Sequence, residues 1–178
     1  MTCNHVMVDL ETLGTGSNAA IASIGAVFFD PETDLLGETF HQRVQFSPSM
    51  GQIEPGTVKW WLQQSKEAQE ALLSGERFPL KQVLSNFNFF LGGGVEGFWS
   101  NGPTFDERLL NEAFARFDSR MNYKFQTSRC MRTYRWLADL FGLDCSSVTR
   151  EGIHHDALAD AIYQARVIQF IHRRLPCK

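Results

Sequence analysis

The sequence predicts a single α/β domain whose mixed central sheet, of five or six strands, is flanked by helices. Apolar runs with strand periodicity fill the first 46 residues, and only short links separate them. From residue 57 onwards the apolar spacing becomes that of amphipathic helices. Glycine or proline follows most of the helical segments, as is common where helices end. We therefore expect an antiparallel meander followed by β-α units.

The first three strands are expected at residues 5–11, 20–29 and 38–46. The first is short and apolar, the second is rich in Ile, Val and Phe, and the third alternates loosely between apolar and polar residues. The links at residues 14–18 and 30–34 have turn compositions and are too short for a crossover helix. These strands should therefore pair as an antiparallel three-stranded meander.

The rest of the chain is expected to be mostly helical. Helices are predicted at residues 57–64, 67–73, 78–91, 105–117, 130–141 and 156–174. Gly75, the glycines at 92–94, Gly142 and Pro176 mark helix ends. Two further strands are expected, at residues 95–100 and near residues 123–126. Residues 1–178 contain no repeat or linker, so they should form one domain.

Composition narrows the class of protein. No apolar run approaches the roughly 20 residues that a membrane-spanning helix needs, and the first residues lack the layout of a signal peptide. We therefore expect a cytoplasmic protein without a membrane partner. The cysteines at positions 3, 130, 145 and 177 form no CxxC pair and are expected to be reduced thiols. The formal net charge of −3 would become +1 if two divalent cations were bound. The net charge therefore does not exclude binding to nucleic acid.

The first candidate site is Asp9-Leu10-Glu11, at the carboxyl end of the first strand. Side chains two apart on a strand share a face, so both carboxylates should point the same way. Unpaired acids close together repel each other and lose hydration, and a hard divalent cation such as Mg²⁺ or Mn²⁺ relieves both costs. The alternative is that one carboxylate caps a turn while the other is solvated.

The second candidate segment runs from Asn101 to Asp106, with Gly and Pro between them. A strand ends here, the chain turns, and an acid opens the next helix. An acid in the first helical turn also complements the helix dipole. Asp106 is therefore either a further metal ligand or a helix-stabilising residue.

The third candidate segment contains His155 and Asp160 at the start of the last helix. Asp160 shares a helix face with two alanines and a glutamine, and an acid on such a buried face needs a partner or a metal. His155 lies at the helix entrance, where a loop can bring it over a substrate. The alternatives are a surface cap for His155, and for Asp160 an ion pair with an arginine such as Arg166 or Arg129.

Together the three segments resemble the motifs of the DEDDh 3′→5′ exonuclease superfamily. The matching residues are Asp9-x-Glu11, Asn101…Phe105-Asp106 and His155-x-Ala157-x-x-Asp160. Further likeness to the phage and prophage group (exonuclease A, exodeoxyribonuclease VIII-like proteins and a related mycobacterial exoribonuclease) lies at residues 9–14, 24–31, 60–65 and 132–133. Arg132-Thr133 departs from the Asp-Thr of many proofreading members. The resemblance implies an RNase H-like fold.

The resemblance also implies a mechanism. Two Mg²⁺ or Mn²⁺ ions, about 3.5–4 Å apart, would be held by Asp9, Glu11, Asp106 and Asp160. His155 would be the general base, since its reference pKa lies near working pH. Thr12 and the backbone around Leu13 would hold the terminal 3′-hydroxyl, and Asn101 is a further candidate for substrate binding. Trp61, one member of the Trp60-Trp61 pair, is assigned a stacking contact with a base, the alternative being that the tryptophans only pack in the core.

Several alternatives stay open at this stage. An RNase H-type endonuclease would also use clustered acids, and a catalytically inactive nucleic-acid-binding module or a metal-stabilised structural protein would hydrolyse nothing. The phage-like segments favour single-stranded DNA as the substrate, whereas the mycobacterial relative acts on RNA 3′ ends. Related enzymes often form homodimers, and the composition leaves this partner open.

Overall fold

The structure is a computed structural model that describes residues 3–175. Pro176 and Cys177, for which a helix end and a reduced thiol are predicted, lie outside this range. The elements follow in the order β1 (His5–Thr12), β2 (Ile21–Phe29), β3 (Leu36–Val44), α1 (Pro55–Trp61), α2 (Lys66–Leu73), β4 (Arg77–Phe78), α3 (Leu80–Leu91), β5 (Gly97–Ser100), α4 (Asp106–Ala115), β6 (Ser128–Cys130), α5 (Met131–Leu140) and α6 (Ala157–His172).

The strands form one six-stranded mixed sheet in the order β4-β3-β2-β1-β5-β6. β1, β2 and β3 pair antiparallel, as the short links between them predict. β5 pairs parallel with β1, β6 pairs parallel with β5, and β4 pairs parallel with β3 at the far edge. The predicted fold class, a meander followed by β-α units with helices on both faces, is confirmed.

Alternation along β1 separates two hydrophobic cores. Val6, Val8 and Leu10 belong to the core that includes α3 and α4, whereas Met7 belongs to the core beneath α5 and α6. Because side chains two apart share a face of the sheet, Asp9 points to the same side as Met7. The carboxyl end of β1 therefore presents its acids towards α6.

A glycine in β2 lets α6 approach the sheet closely. Gly25 pairs with Asp9 across the β1-β2 ladder, and a Cβ atom built on Gly25 would overlap the backbone of Ala157, the first residue of α6. Ala157, Ala161 and Ala165 are fully buried on the helix face that meets the sheet. The first turn of α6 therefore lies directly over the end of β1.

Two edge strands differ from the sequence prediction. The strand predicted near residues 123–126 is wrong: this segment leads into a 3₁₀ turn at Phe125–Thr127, and the strand is β6, which follows it. The apolar pattern there reflects tertiary packing, since Tyr123 lies against Phe98 with ring centroids 4.9 Å apart. β4 was not predicted, and it takes Phe78 from the start expected for α3. None of the helices within residues 3–175 is long and apolar enough to cross a bilayer.

Candidate metal centre and active site

Three carboxylates converge where β1 ends beneath α6. Oxygen atoms of Asp9, Glu11 and Asp160 all lie within 4.8 Å of one another. Glu11 and Asp160 are buried, at 7% and 6% exposure, and Asp9 is partly buried. The strand supplies two of these acids on one face, and the first turn of α6 supplies the third. The convergence predicted from the sequence is therefore present in the fold.

Asp106 is the fourth acid of the same site, and it opens α4. It is 5% exposed and lines the same cavity of about 350 Å³ as the other three acids. Burial raises the pKa of Asp106, and the backbone N–H groups of Asp106 itself and of Leu10 oppose part of that rise. The helix-dipole alternative and the site role are therefore compatible, because the acid opens the helix and also faces the cavity.

Burial and mutual repulsion disfavour the charged forms of these acids. Burial, followed by repulsion from Asp9 and Asp160, raises the pKa of Glu11 to about 10. Burial also raises the pKa of Asp106, to about 7. The pKa of Asp9 is raised well above its usual range by burial and by Asp106, against a hydrogen bond from Gln164. A nearby cation would reverse these costs.

The donor atoms suit a divalent cation. All four acids offer hard oxygen ligands, which Mg²⁺ and Mn²⁺ prefer. Gln164 lies beside them and donates from Nε2 to Asp9 Oδ1 at 2.7 Å. Its Oε1 atom is buried and has no hydrogen-bond partner among the described residues, so it can accept a hydrogen bond from a ligand in the cavity. The residues fit the divalent metal that the resemblance implies.

Divalent cations are expected to stabilise the fold, and to do so more strongly as pH rises. In the folded protein, burial and then repulsion from Asp9 raise the pKa of Glu11 from 4.5 to about 10. Between these values the folded state holds more protons, so the stability of the chelator-treated protein should fall with rising pH. A cation that binds the ionised acids should remove that fall. At about 100-fold above Kd we expect roughly 2.7 kcal/mol, or about 5–10 °C in Tm.

Thermal unfolding at several pH values, with Mg²⁺, Mn²⁺ or chelator, measures this effect. Glu11→Gln is the informative variant, because it keeps the shape of the side chain but cannot ionise. It should flatten the pH dependence of the chelator-treated protein and reduce the gain from added metal. A gain in Tm that is independent of pH, and equal in wild type and Glu11→Gln, would contradict the assignment.

His155 lies at the rim of the cavity in an unusual backbone conformation. Its φ of 67° is in the left-handed region, which few non-glycine residues adopt and which is often found at functional sites. Its backbone N–H donates to Asp160 Oδ2 at 3.4 Å, and its ring packs edge-on against Trp60 at 4.9 Å. Burial, and then the neighbouring His154, lower the pKa of His155. The imidazole is therefore neutral near pH 7 and able to accept a proton.

Asp160 forms an ion pair with Arg150, and His154 Nε2 lies 4.0 Å from Asp160 Oδ2. The Arg150 guanidinium contacts Asp160 Oδ1 and lies over the ring of Tyr163, 4.1 Å from its centroid. The partners predicted from the sequence are wrong, because Arg166 donates instead to the carbonyl of Asp34 and Arg129 to the carbonyls of Gln126 and Ser128. No sequence signal identified Arg150, which stands ten residues before Asp160 in a loop.

The residues assigned to the substrate lie close to the acids, but several of their polar groups already form hydrogen bonds within the protein. Thr12 Oγ1 donates to the Gly14 carbonyl at 2.8 Å, and the Leu13 N–H donates to the Ala20 carbonyl at 2.8 Å. Trp61 is 4% exposed and donates from Nε1 to the Thr12 carbonyl at 2.8 Å. Asn101 is exposed at the rim of the cavity. Their contacts with substrate stay predictions.

A second cavity, of about 540 Å³, adjoins the first. The two share Leu10, Glu11 and Phe105 in their walls. Both tryptophans line the second cavity, and Trp60 is the more exposed, at 42%. Trp61 is therefore the core member of the pair, and Trp60 offers the more accessible aromatic surface.

Comparison with known proteins agrees with this geometry. The family model of the Rv2179c-like 3′-5′ exoribonuclease domain matches residues 4–172, nearly the whole chain. The chain belongs to this family. The chain is also 25% identical over 120 residues to an exodeoxyribonuclease of Enterobacteria phage T4. The aligned region covers 58% of this chain. The match spans 52%, about half, of the length of that curated relative.

Solved structures share the fold of this exoribonuclease-domain family member. The nuclease domain of 3′hExo, a DEDDh family member bound to rAMP, has a TM-score of 0.57 at 16% identity and covers 92% of this chain and 88% of its own. E. coli exonuclease I in complex with a dT13 oligonucleotide has a TM-score of 0.70 at 16% identity. It covers 97% of this chain and 41% of its own. A zinc-bound form of the E. coli ExoI–ssDNA complex has a TM-score of 0.69 at 18% identity. It covers 97% of this chain and 41% of its own. At these identities the likeness establishes the RNase H-like fold, which the resemblance predicted.

Gln164 is a site residue whose signal was available in the sequence. It stands four residues after Asp160 and therefore shares its helix face. A buried amide beside a cluster of acids is a natural hydrogen-bond donor to one of them, and the structure pairs it with Asp9. Its role at the site follows from helix periodicity, whereas that of Arg150 depends on how a loop folds back.

Proposed function

We propose that this chain is a metal-dependent 3′→5′ exonuclease that hydrolyses single-stranded nucleic acid and releases 5′-mononucleotides. One observation carries the proposal: the carboxylate oxygens of Asp9, Glu11 and Asp160 converge within 4.8 Å, with His155 lining the same cavity. Membership of an exoribonuclease-domain family supports the reaction class. Buried acids in this arrangement are costly unless they bind cations, and such sites commonly serve phosphodiester hydrolysis.

The four acids are proposed to hold two divalent cations, Mg²⁺ or Mn²⁺. When bound, such cations lower the pKa of a water and stabilise charge on the attacking and leaving oxygens. Asp9, Glu11 and Asp160, whose carboxylates lie closest together, would supply ligands to the cations. Asp106, in the same cavity, would be the fourth ligand residue. Gln164 would orient the Asp9 carboxylate through its 2.7 Å hydrogen bond.

His155 is proposed to accept the proton of the attacking water. Its lowered pKa keeps a ring nitrogen free to take a proton near neutral pH. The ring is held between Trp60 and His154, with centroid separations of 4.9 Å and 3.8 Å. These contacts, together with the hydrogen bond from the His155 N–H to Asp160, orient the imidazole towards the acids.

The 3′-terminal nucleoside is proposed to enter the second cavity. Its wall combines the tryptophans with polar groups of Thr12, Thr15 and Glu54, and Glu11 joins it to the acids. A base would stack there on Trp60, which is the more exposed of the two tryptophans, a contact worth about 1–3 kcal/mol. A cavity that accepts a strand end beside the acids would account for exonuclease action.

Single-stranded DNA is the proposed substrate, with RNA as a second candidate. The phage-like sequence segments and the phage T4 relative named as an exodeoxyribonuclease favour DNA. The description of the family as an exoribonuclease domain favours RNA. Discrimination depends on contacts with the 2′-hydroxyl. A homodimer rests on no observation among residues 3–175 and stays a prediction.

Matched DNA and RNA single strands, labelled at the 5′ end, test the proposal. With Mg²⁺ or Mn²⁺ we expect progressive shortening from the 3′ end and release of 5′-mononucleotides, and chelator should stop both. A circular single strand is the matched control and should stay intact. Cleavage of the circle would indicate an endonuclease. Binding of strands without any hydrolysis would indicate the inactive binding module.

A further inference from the structure

Two arginines of α5 line the cavity that holds the four acids. Arg132 and Arg135 are three residues apart, so they share one face of the helix. Both belong to the wall of the cavity, together with Asn101 and Gly102 from the end of β5. The cavity therefore has guanidinium groups as well as carboxylates along its walls.

Neither of these two guanidinium groups is held by a hydrogen bond or an ion pair among the described residues. Arg129, three residues before Arg132, donates instead to the carbonyls of Gln126 and Ser128. Arg150 contacts Asp160 in the same cavity. The α5 pair is therefore available to a ligand, whereas its neighbours are occupied.

A glycine makes room for Arg132. A Cβ atom built on Gly102 would overlap the Arg132 guanidinium, with Nη2 and Cζ as the nearest atoms. Gly102 directly follows Asn101 in the turn that leads to Asp106. Burial raises the pKa of Asp106, and the nearby Arg132 guanidinium opposes part of that rise. The turn therefore accommodates Arg132 against the backbone, beside one of the acids.

We propose that Arg132 and Arg135 bind a backbone phosphate of the substrate on the 5′ side of the scissile bond. This inference rests on the proposed function. The second cavity, proposed for the 3′-terminal nucleoside, includes neither arginine in its wall. We infer that the rest of the strand runs through the first cavity, whose wall includes Arg132 and Arg135. Guanidinium groups match the planar donor geometry that phosphate oxygens accept.

The test combines charge-removing variants with strands that carry one neutral linkage. Arg132→Gln and Arg135→Gln are each expected to raise KM for a short single strand about tenfold, with a smaller effect on kcat, because the contact is remote from the reacting bond. The salt dependence of binding should weaken by about 0.7 in log–log slope for each arginine removed. Arg129→Gln is the matched control and should keep wild-type values.

Methylphosphonate linkages, which are uncharged, locate the contacted phosphate. One linkage on the 5′ side of the scissile bond should raise KM of the wild type about tenfold and add little in Arg132→Gln. Gly102→Ala provides an independent perturbation, because its Cβ should displace the Arg132 guanidinium and reproduce the Arg132→Gln result. Thermal unfolding of each variant checks that the fold is kept.

The outcomes separate this proposal from the proposed function. If wild type hydrolyses neither strands nor thymidine 5′-(p-nitrophenyl phosphate), which has no upstream phosphate, the proposed function fails. If wild type degrades strands but both α5 variants match Arg129→Gln, the phosphate subsite is overturned. Neutral linkages that act equally in wild type and in Arg132→Gln, at every position, would overturn it as well.

Discussion

Replacing Asp9 by alanine is expected to lower the rate of 3′-end hydrolysis by more than about 10³-fold, beyond the 10–100-fold loss usual for outer-sphere partners of a metal. Asp9 is one of the three acids whose carboxylate oxygens lie within 4.8 Å of one another. Its removal breaks the ligand set rather than weakening one contact. Initial rates on a 5′-labelled single strand, with Mg²⁺ or Mn²⁺ in excess, measure the loss.

The same substitution should leave the fold intact. Because burial and the neighbouring acids raise the pKa of Asp9, its charged form is unfavourable without a cation. Thermal unfolding in chelator should therefore give a Tm for Asp9→Ala at or above that of wild type, and added metal should raise it less. Asp139→Ala, at an exposed position of α5, is the control and should retain full activity. Near-wild-type hydrolysis by Asp9→Ala would show that the ligand assignment is wrong.

Removing the imidazole of His155 is expected to slow hydrolysis by about 10²–10⁴-fold, the usual contribution of a general base. Asparagine is the better replacement, because it tolerates the positive φ of 67° that this residue adopts, whereas alanine adds backbone strain. Metal-induced stabilisation should be kept, since His155 is not among the four acids. Single-turnover rates across a range of pH measure the effect.

The pH profile gives a second readout for the same residue. In wild type, the rate should fall as pH drops through the lowered pKa of His155, because the imidazole then becomes protonated and cannot accept a proton. His155→Asn should lose this acid limb. His154→Asn is the comparison variant: His154 is exposed and stacks on His155 at 3.8 Å, so its loss should reduce the rate less than the loss of His155 and should keep the acid limb. A larger loss in His154→Asn than in His155→Asn would assign the base to the other histidine.

The sequence predicted best those parts of the fold that have strong local periodicity. β1, β2 and α6 were located to within a few residues, because their apolar residues alternate or recur at helical spacing over long segments. β4 and β6 contain two and three residues, too few to carry any periodicity. Edge strands of this length are defined by their pairing partners, which a local pattern does not reveal.

At the candidate site, too, the sequence predicted the residues that lie on regular strands and helices and missed those that depend on loops and packing. Strand and helix periodicity predicted that Asp9, Glu11 and Asp160 face the same site. The structure adds the reason why they come so close: Gly25 has no side chain beneath α6. The contact of Arg150 with Asp160 depends on the path of a loop. The division of roles between the adjacent tryptophans depends on packing, which buried one and left the other 42% exposed.

Crystals grown with Mn²⁺ offer the most direct test of whether these acids bind divalent cations. Anomalous scattering at the manganese edge locates each ion independently of any assumed ligands. We expect manganese peaks in the cavity, within bonding distance of carboxylate oxygens of Asp9, Glu11 and Asp160. Peaks found only elsewhere, or a cavity without manganese at concentrations that support hydrolysis, would contradict this expectation.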